Sequence, residues 1–360
     1  MLVNFVGTRG THPSSGQGTM SFVVDNKLVF DICPEFVHSY TKIMDSWNTN
    51  TTEFLQKAQN LYGSPSFSKI EHIFISHLHF DHWGGLRHFL IWSQMFESSF
   101  RESKPLNIYL PKGNVEIFQQ RLKSLFDLPD DQTYNPEDFF LRYLLVEIDS
   151  SLVKYVNIHV LEHNDEIKIG QYIVRAHEND HFKGSLSYKL VLTKYKLNED
   201  KLAKIGLPKG PLLSQLQRDS ELIFQDKKIQ IEDVFDISNT VLGYSGDTIV
   251  DQNLLEWFKD CTHLIHETTY FEDGERYHTD SHSSLYELLP KLRKYKNLKM
   301  LLAVHFSGRY KWSEIEEKLE EIDTRGEPFL IKAPRIGSIL NYNVKDGQTI
   351  YEEILIAGKY

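Results

Sequence analysis

The run Ser76-His77-Leu78-His79-Phe80-Asp81-His82 constrains this chain more than any other feature. Four residues able to ligate a metal, His77, His79, Asp81 and His82, follow directly on the β-branched and aromatic stretch Glu71 to Ser76, which reads as a short buried strand. A turn at a strand end can aim His77 and His79 one way and Asp81 and His82 another, dividing the ligands between two cations. Imidazole together with carboxylate suits borderline cations, zinc first, with manganese or iron as alternatives. A surface loop that is merely histidine-rich accounts for a lone histidine better than for this spacing. Two cations need more ligands than this segment supplies. His181, Asp247 and His305 are the candidates, because each follows a strand-like run or lies in a turn. For Asp247, in Tyr244-Ser245-Gly246-Asp247-Thr248, a backbone-capping role in the turn competes with metal binding.

The same placement recurs along the chain. Leu2 to Val6 and Ser21 to Asp31 read as a strand pair around a Gly/Ser-rich turn from Gly7 to Gly18. Residues 38–66 are polar and aromatic and hold a short helix, Thr51 to Leu61, ended by Gly63-Ser64-Pro65. His82 to Phe96 reads as a helix with an apolar stripe. Thr240 to Ser245 precedes an aspartate and Thr262 to Ile265 precedes His266. Lys299 to Val304 follows a helix at Ser283 to Tyr295 and runs into His305. Sites in layered α/β folds collect at the carboxyl ends of strands, so the expected architecture is a sandwich of sheets with helices outside. Residues 194–240, around Gly206-Leu207-Pro208-Lys209-Gly210-Pro211, read as an excursion from that core.

Bulk properties exclude several function classes. The 360 residues are 41% hydrophobic and 25% charged, an ordinary globular balance. Cys33 and Cys261 are too few and too far apart for a disulfide framework, which fits a reducing compartment. The N-terminus lacks a basic segment followed by a long apolar one, and the longest apolar runs, such as Met300 to Val304, cannot span a bilayer. The expected location is the cytoplasm, with no membrane partner. A net charge of −10 argues against coating nucleic acid non-specifically, though it permits a local basic patch.

The motif Ser76 to His82 resembles the signature of the metallo-β-lactamase superfamily, and the chain as a whole is similar to tRNase Z within it. Gly7-Thr8-Arg9-Gly10-Thr11, Phe30-Asp31, His181 ahead of Ser187-Tyr188, Tyr244-Ser245-Gly246-Asp247-Thr248, His266-Glu267-Thr268-Thr269, His282-Ser283-Ser284 and His305-Phe306-Ser307-Gly308-Arg309-Tyr310 carry the likeness in order. The resemblance implies an αββα sandwich of two mixed sheets with helices outside, one domain over residues 1–360. It implies two Zn2+, with His77, His79 and His181 on one, Asp81, His82 and His305 on the other, and Asp247 bridging. His177 competes with His181, and the alignment through Ser187-Tyr188 favours His181. The stretch Leu202 to Leu216 looks like the protruding arm with which tRNase Z grips tRNA, so residues 194–240 become an inserted arm and Lys209, Gly210 and Pro211 candidate tRNA contacts. Precursor tRNA is the implied substrate and a homodimer the implied assembly.

Phosphodiester hydrolysis at neutral pH needs a strong nucleophile, charge neutralisation and a proton for the leaving oxygen. Two cations ~3.5–4 Å apart supply the first two through a bridging hydroxide. Asp247 would orient that hydroxide, and Asp81 joins it among the candidate catalytic groups. His282 is the candidate proton donor, because imidazole titrates near working pH. Glu267 is a candidate partner that orients a histidine, and Ser307 and Arg309 are candidate phosphate contacts. The chain departs from tRNase Z in four places. Phe80 stands where glycine is usual, and residues 12–20 lack an Arg-Asn pair. Cys33-Pro34-Glu35 replaces a glycine-rich stretch. Residues 36–66 and 97–170 are insertions. Lysines 194, 196, 201, 204 and 209 are partly offset by Glu199 and Asp200. Phe80, the acidic net charge and the altered N-terminal loop favour a second reading, a hydrolase of a small substrate, such as a cyclic-nucleotide phosphodiesterase or a lactonase, that keeps an arm-like insert. A third, a non-catalytic RNA-binding relative, conflicts with the complete ligand set, since unused buried His and Asp are costly.

Overall fold

Strands apolar on both faces are stable only between two layers, and this chain has many. The computed structural model describes residues 1–11, 17–50, 52–92, 104–125, 155–272, 281–323, 326–343 and 348–353. Its strands are β1 (Leu2–Gly7), β2 (Ser21–Val24), β3 (Leu28–Phe30), β4 (His72–Phe74), β5 (Leu106–Pro111), β6 (Val156–Leu161), β7 (Glu166–Ile169), β8 (Tyr172–Glu178) and β9 (Leu186–Leu197). They continue with β10 (Glu221–Phe224), β11 (Lys227–Gln230), β12 (Phe235–Tyr244), β13 (His263–Glu267), β14 (Met300–Val304), β15 (Leu330–Lys332), β16 (Ser338–Asn343) and β17 (Gln348–Glu353). One mixed sheet runs β17-β16-β1-β2-β3-β4-β5-β6 and the other β15-β14-β13-β12-β9-β8-β7.

Period-two alternation sorts each strand between two cores. On β1, Val3 and Phe5 point between the sheets while Leu2 and Val6 point outward. On β14, Met300, Leu302 and Val304 face inward, and Leu301 and Ala303 face the helices over the second sheet. The inner layer is tied by an aromatic ladder, Phe22 to Phe30 to Phe74 to Tyr109, with ring centroids 5.0, 5.2 and 4.3 Å apart. Helix Phe36–Thr49 covers the first sheet through Phe36, Tyr40, Ile43 and Trp47. Helices Gln252–Trp257, Leu285–Leu292 and Trp312–Asp323 cover the second. The layers are αββα, as the resemblance implied.

Several element boundaries differ from the sequence reading. Ser21 to Asp31 is two strands, because Asp25 and Asn26 adopt φ of 47° and 60°, the left-handed pair of a tight hairpin turn. The Phe36–Thr49 helix was not anticipated. The helix expected from Glu53 onward does form, as Glu53–Tyr62, capped by Thr52, whose side chain accepts from the Leu55 N–H. The helix expected over His82 to Phe96 starts at Phe80 and is interrupted at Gly84-Gly85. A Cβ on Gly85 would lie 2.0 Å from the Cys33 carbonyl oxygen, so this backbone presses on a neighbouring loop. Residues 93–96, and 97–103 and 126–154 of the expected insertion, lie outside the described residues.

Residues 194–240 extend the second sheet. β9 and β12 pair without a break from Phe235–Leu197 to Tyr244–Tyr188. Beyond them, helices Glu199–Ile205 and Pro211–Asp219 and the β10–β11 hairpin enclose a small core of their own, with Leu202, Leu207, Leu216, Leu222, Ile229 and Phe235. Among the described residues no helix is long and apolar enough to cross a membrane. Both cysteines are buried thiols.

Candidate metal centre

Candidate ligands leave the carboxyl ends of strands from both sheets and meet in one crevice. His77 to His82 follow β4, His181 lies in the β8–β9 connection, Asp247 follows β12 and His305 follows β14. Two of these ends are bent out of ordinary backbone conformations. His305 has φ 64° while its N–H donates to Thr8 O at 2.7 Å. Gly246 has φ 59°, and a Cβ there would come within 3.0 Å of Ser76 Cβ, which lets Asp247 close on the histidines. Positive φ at a non-glycine such as His305 costs free energy and persists where the surroundings enforce it.

The candidate ligand atoms form two groups, and His282 joins Asp247 and His305 in a third that overlaps them. In the first, His77 Nε2 lies 3.0 Å from His79 Nδ1, and His79 Nδ1 lies 3.2 Å from His181 Nε2. Asp247 Oδ2 faces His77 Nε2 at 3.7 Å and His181 Nε2 at 3.9 Å. In the second, Asp81 Oδ2 stands 3.6 Å from both His82 Nε2 and His305 Nε2. Asp247 Oδ1 stands 3.3 and 3.2 Å from the same two nitrogens. The two oxygens of one carboxylate thus face two separate groups.

The second group tests whether a cation fits. Asp81 Oδ2, His82 Nε2 and His305 Nε2 are all buried without a hydrogen-bond partner. An unmet buried polar atom costs about 1–3 kcal/mol, and three converging on one point share a natural remedy in a cation. In the first group the ring nitrogens of His77 and His181 crowd onto His79 Nδ1 at 3.0 and 3.2 Å, a convergence that a cation also satisfies. Nitrogen and carboxylate donors without a thiolate match zinc, manganese or iron.

A layer of partners fixes the rings. The fully buried Asp31 accepts from His82 Nδ1 at 2.6 Å, from Ser76 N at 2.6 Å and from Ser76 Oγ at 2.7 Å. It also accepts from the Tyr244 hydroxyl. His181 Nδ1 donates to Ser281 O at 2.8 Å. His305 Nδ1 meets Thr269 Oγ1 at 2.9 Å, and that hydroxyl donates to Glu267 Oε2 at 2.8 Å. Each of these bonds puts the proton on Nδ1 and turns the Nε2 lone pair into the cluster. Asp31, which the motif reading placed only at a strand end, is the residue that reading missed as part of the site. Its one local signal is an aspartate directly after the apolar run Leu28–Phe30.

Electrostatics follow from burial. Burial lowers His77, His79 and His181 below the ordinary imidazole value, which favours the neutral form that a metal would need. Burial also opposes charge on His82, but Asp247, Asp31 and Asp81 outweigh it and favour positive charge at this ring, and a cation at Nε2 would supply that charge in place of a second proton. Asp247 is driven well down despite burial by His305, His82 and His77, and Asp81 is driven down by His82 and His305.

The other candidates divide. His282 Nδ1 lies 3.0 Å from Glu267 Oε1 and 4.0 Å from Asp247 Oδ2, so the structure brings it to the cluster. Burial alone would lower it, but the Glu267 charge and hydrogen bond, with Asp247, raise it to about 9. Glu267 is buried and also accepts from Thr248 N, Thr269 N and Ser283 N at 3.0, 3.0 and 3.1 Å. His177 stays outside, its ring 4.5 Å from His163 and 4.8 Å from Trp257. Ser307 is two residues from His305 and donates its N–H to Thr269 O. Arg309 lies 4.9 Å over the Tyr270 ring and donates Nε to Ser307 Oγ. Lys209, Gly210 and Pro211 sit on the insert, Lys209 paired with Glu199 at 2.7 Å and Gly210-Pro211 opening a helix.

Comparison with known proteins follows the same lines. The family model described as Anti-Pycsar protein Apyc1 matches residues 50–238. A ribonuclease Z of Staphylococcus carnosus is 31% identical over 333 residues, covering 90% of this chain and 94% of its own. The metallo-β-lactamase fold protein YhfI of Bacillus subtilis superposes with a TM-score of 0.54 at 13% identity, covering 94% of this chain and 98% of its own. The short form of human tRNase Z superposes with a TM-score of 0.50 at 17% identity, over 96% and 100%. The architecture is therefore the metallo-β-lactamase fold.

Proposed function

The chain belongs to the ribonuclease Z and Apyc1 family of metal-dependent hydrolases, and from that premise we propose that it is a two-metal phosphodiesterase acting on precursor tRNA with a 3′ trailer. The observation that carries the two-metal reading is the Asp247 carboxylate, whose separate oxygens face two groups of donors. His77, His79 and His181 would hold one cation, Asp81, His82 and His305 the other, zinc in first place with manganese or iron as alternatives. Cations held there activate water and neutralise phosphate charge.

The rest of the chemistry falls to side chains. Asp81 and Asp247 stay ionised across the working range and are the charge that the site offers to cations. His282, raised to about 9, is protonated at neutral pH and gives its proton to the leaving 3′ oxygen. Glu267 is its positioning partner, itself immobilised by three backbone N–H groups. Ser307 and Arg309 flank the cluster as phosphate contacts, and Lys209, Gly210 and Pro211 on the insert contact the tRNA body. The assembly is a homodimer and the location cytoplasmic.

One observation favours a second reading, a small phosphodiester such as a cyclic nucleotide. Residues 194–240 hold eight basic residues (Lys and Arg) and eight acidic ones (Asp and Glu), a net charge of zero. Several are already paired, with Lys201–Asp236 at 3.0 Å, Lys209–Glu199 at 2.7 Å and Lys228–Glu221 at 2.7 Å. Affinity for a nucleic-acid backbone needs unpaired positive charge. Incubating the metal-loaded enzyme with a 3′-extended tRNA transcript, and separately with cyclic nucleotides, discriminates the readings. A single cut at the 3′ end of the tRNA body supports the first. Turnover of cyclic nucleotides with intact tRNA replaces it by the second.

A further inference from the structure

His79 and His181 stand 102 residues apart in the chain, and the two segments that carry them are tied together by a side chain outside the cluster. Asn114 lies in the first turn of helix Lys112–Leu125, which follows β5, and is buried. Its Oδ1 accepts from the N–H of Leu78, the residue between His77 and His79, at 2.8 Å. Its Nδ2 donates to the carbonyl of Lys183, two residues past His181, also at 2.8 Å. A backbone N–H only donates and a carbonyl only accepts, so these two partners fix which way the amide points. Both polar ends of one buried side chain are thus committed to the two segments of the first cluster.

Backbone contacts reinforce the link. A Cβ on Gly113 would fall 3.0 Å from Gly184 Cα, and one on Gly184 2.7 Å from Gly113 Cα, so the start of the helix presses directly on the His181 loop. Gly184 also has φ 80°, which suits glycine. On the other segment, Trp83 Nε1 donates to Leu78 O at 3.1 Å, so the N–H and the carbonyl of Leu78 are both held. The ends of the His181 loop are pinned separately, by Asn179 Nδ2 to Ser245 O and by Leu186 N to Ser76 O, each at 2.8 Å. Those bonds set where the loop begins and ends. The Asn114 bonds set its far side against the His77–His79 turn.

We propose that Asn114 is a positioning residue for the first cluster, holding His181 in register with His77 and His79. Donors on separate segments close on one cation only when the distance between the segments is fixed. The second cluster is held from elsewhere, His82 by Asp31 and His305 by Thr269, so Asn114 acts on one metal position and not on both. The proposal rests on the two-metal reading above.

The test uses zinc-loaded wild type, Asn114→Leu and Asn114→Ala. Leucine keeps a branched side chain and removes both hydrogen bonds, and alanine removes them while leaving room for water. Competition with graded chelator counts the cations retained, anomalous-difference maps of partly depleted crystals say which position has emptied, and thermal unfolding is measured alongside. Asn114→Leu should release the cation among His77, His79 and His181 at about 10–100-fold lower chelator strength, with the other held as in wild type. Asn114→Ala should shift the same position in the same direction. Equal weakening of both positions, a loss confined to Asp81, His82 and His305, or no shift in either variant overturns the proposal. So does failure of both variants to fold, which would assign Asn114 to the fold alone. In each of those cases a wild type that retains two cations leaves the two-metal reading standing. A wild type that retains one cation defeats that reading, and the positioning role with it.

Discussion

Replacing Asp31 by asparagine probes how the second cluster is held, with little change of shape. Asp31 sits at φ 54°, which asparagine also tolerates, so the backbone is not the perturbed quantity. Ser76 N must donate to one oxygen, Oδ1, and asparagine can keep its carbonyl there. The amide NH2 then replaces Oδ2, where Ser76 Oγ, His82 Nδ1 and the Tyr244 hydroxyl all converge. The two hydroxyls can rotate and accept. The His82 Nδ1–H cannot, so one charge-assisted bond is lost outright, at about 1.5–3 kcal/mol of stability. The imidazole can avoid the clash only by moving its proton to Nε2, the atom turned toward Asp81 and Asp247. Loss of a carboxylate behind a metal-binding histidine typically costs ~10–100-fold in affinity. Competition with graded chelator, followed by elemental analysis, should therefore show one cation leaving Asp31→Asn at about 10–100-fold lower chelator strength while the other is held as in wild type. Equal affinity at both positions, or equal weakening of both, refutes the reasoning.

Three further outcomes follow from the same geometry. His282→Gln should keep the full metal content while kcat falls by about 10²–10⁴-fold, and loss of metal would make His282 a ligand. Wild-type kcat/KM should fall as pH rises through about 9, where His282 loses its proton. Glu267→Gln should draw that limb toward neutral pH, and an unmoved limb would separate Glu267 from His282. Stability also depends on His263, which is buried, bonded to Thr349 Oγ1 at 2.9 Å and lowered by burial to about 4 against 6.5 when exposed. Between those values the unfolded chain binds the extra proton, so the His263 contribution is complete above pH 6.5. It is lost as pH falls toward 4, by about 3 kcal/mol in all. Denaturant titrations of wild type and His263→Gln should diverge in slope across that window, and parallel curves would contradict it.

Local features were legible in the sequence and distant ones were not. His77, His79, Asp81 and His82 stand out as candidates because four residues able to ligate a metal share one strand-end turn. The sandwich follows from strands that alternate between two cores, as on β1 and β14. Asp31 did not stand out, because its partners Ser76, His82 and Tyr244 lie 45 to 213 residues away and only the packed sheets bring them together. Spacing alone could not choose between His177 and His181. The end of β8 turns the first onto Trp257 and the β8–β9 connection carries the second to His79. The Phe36–Thr49 helix was hidden because its apolar stripe is diluted by Ser39, Thr41, Lys42 and Asp45. In the insert, the boundary at residue 240 fell inside β12, whose outer half pairs with β9 although its residues are largely exposed and polar.

The central claim is that one carboxylate, Asp247, is shared by two cations. Anomalous-difference maps on crystals of metal-loaded protein, recorded on either side of the zinc edge and repeated for Asp247→Ala, test it directly. The account predicts two peaks in wild type, one among His77, His79 and His181 and one among Asp81, His82 and His305, with Asp247 between them, and weakened occupancy of both in the variant. A single peak in wild type, or two peaks unchanged when Asp247 is removed, would contradict it.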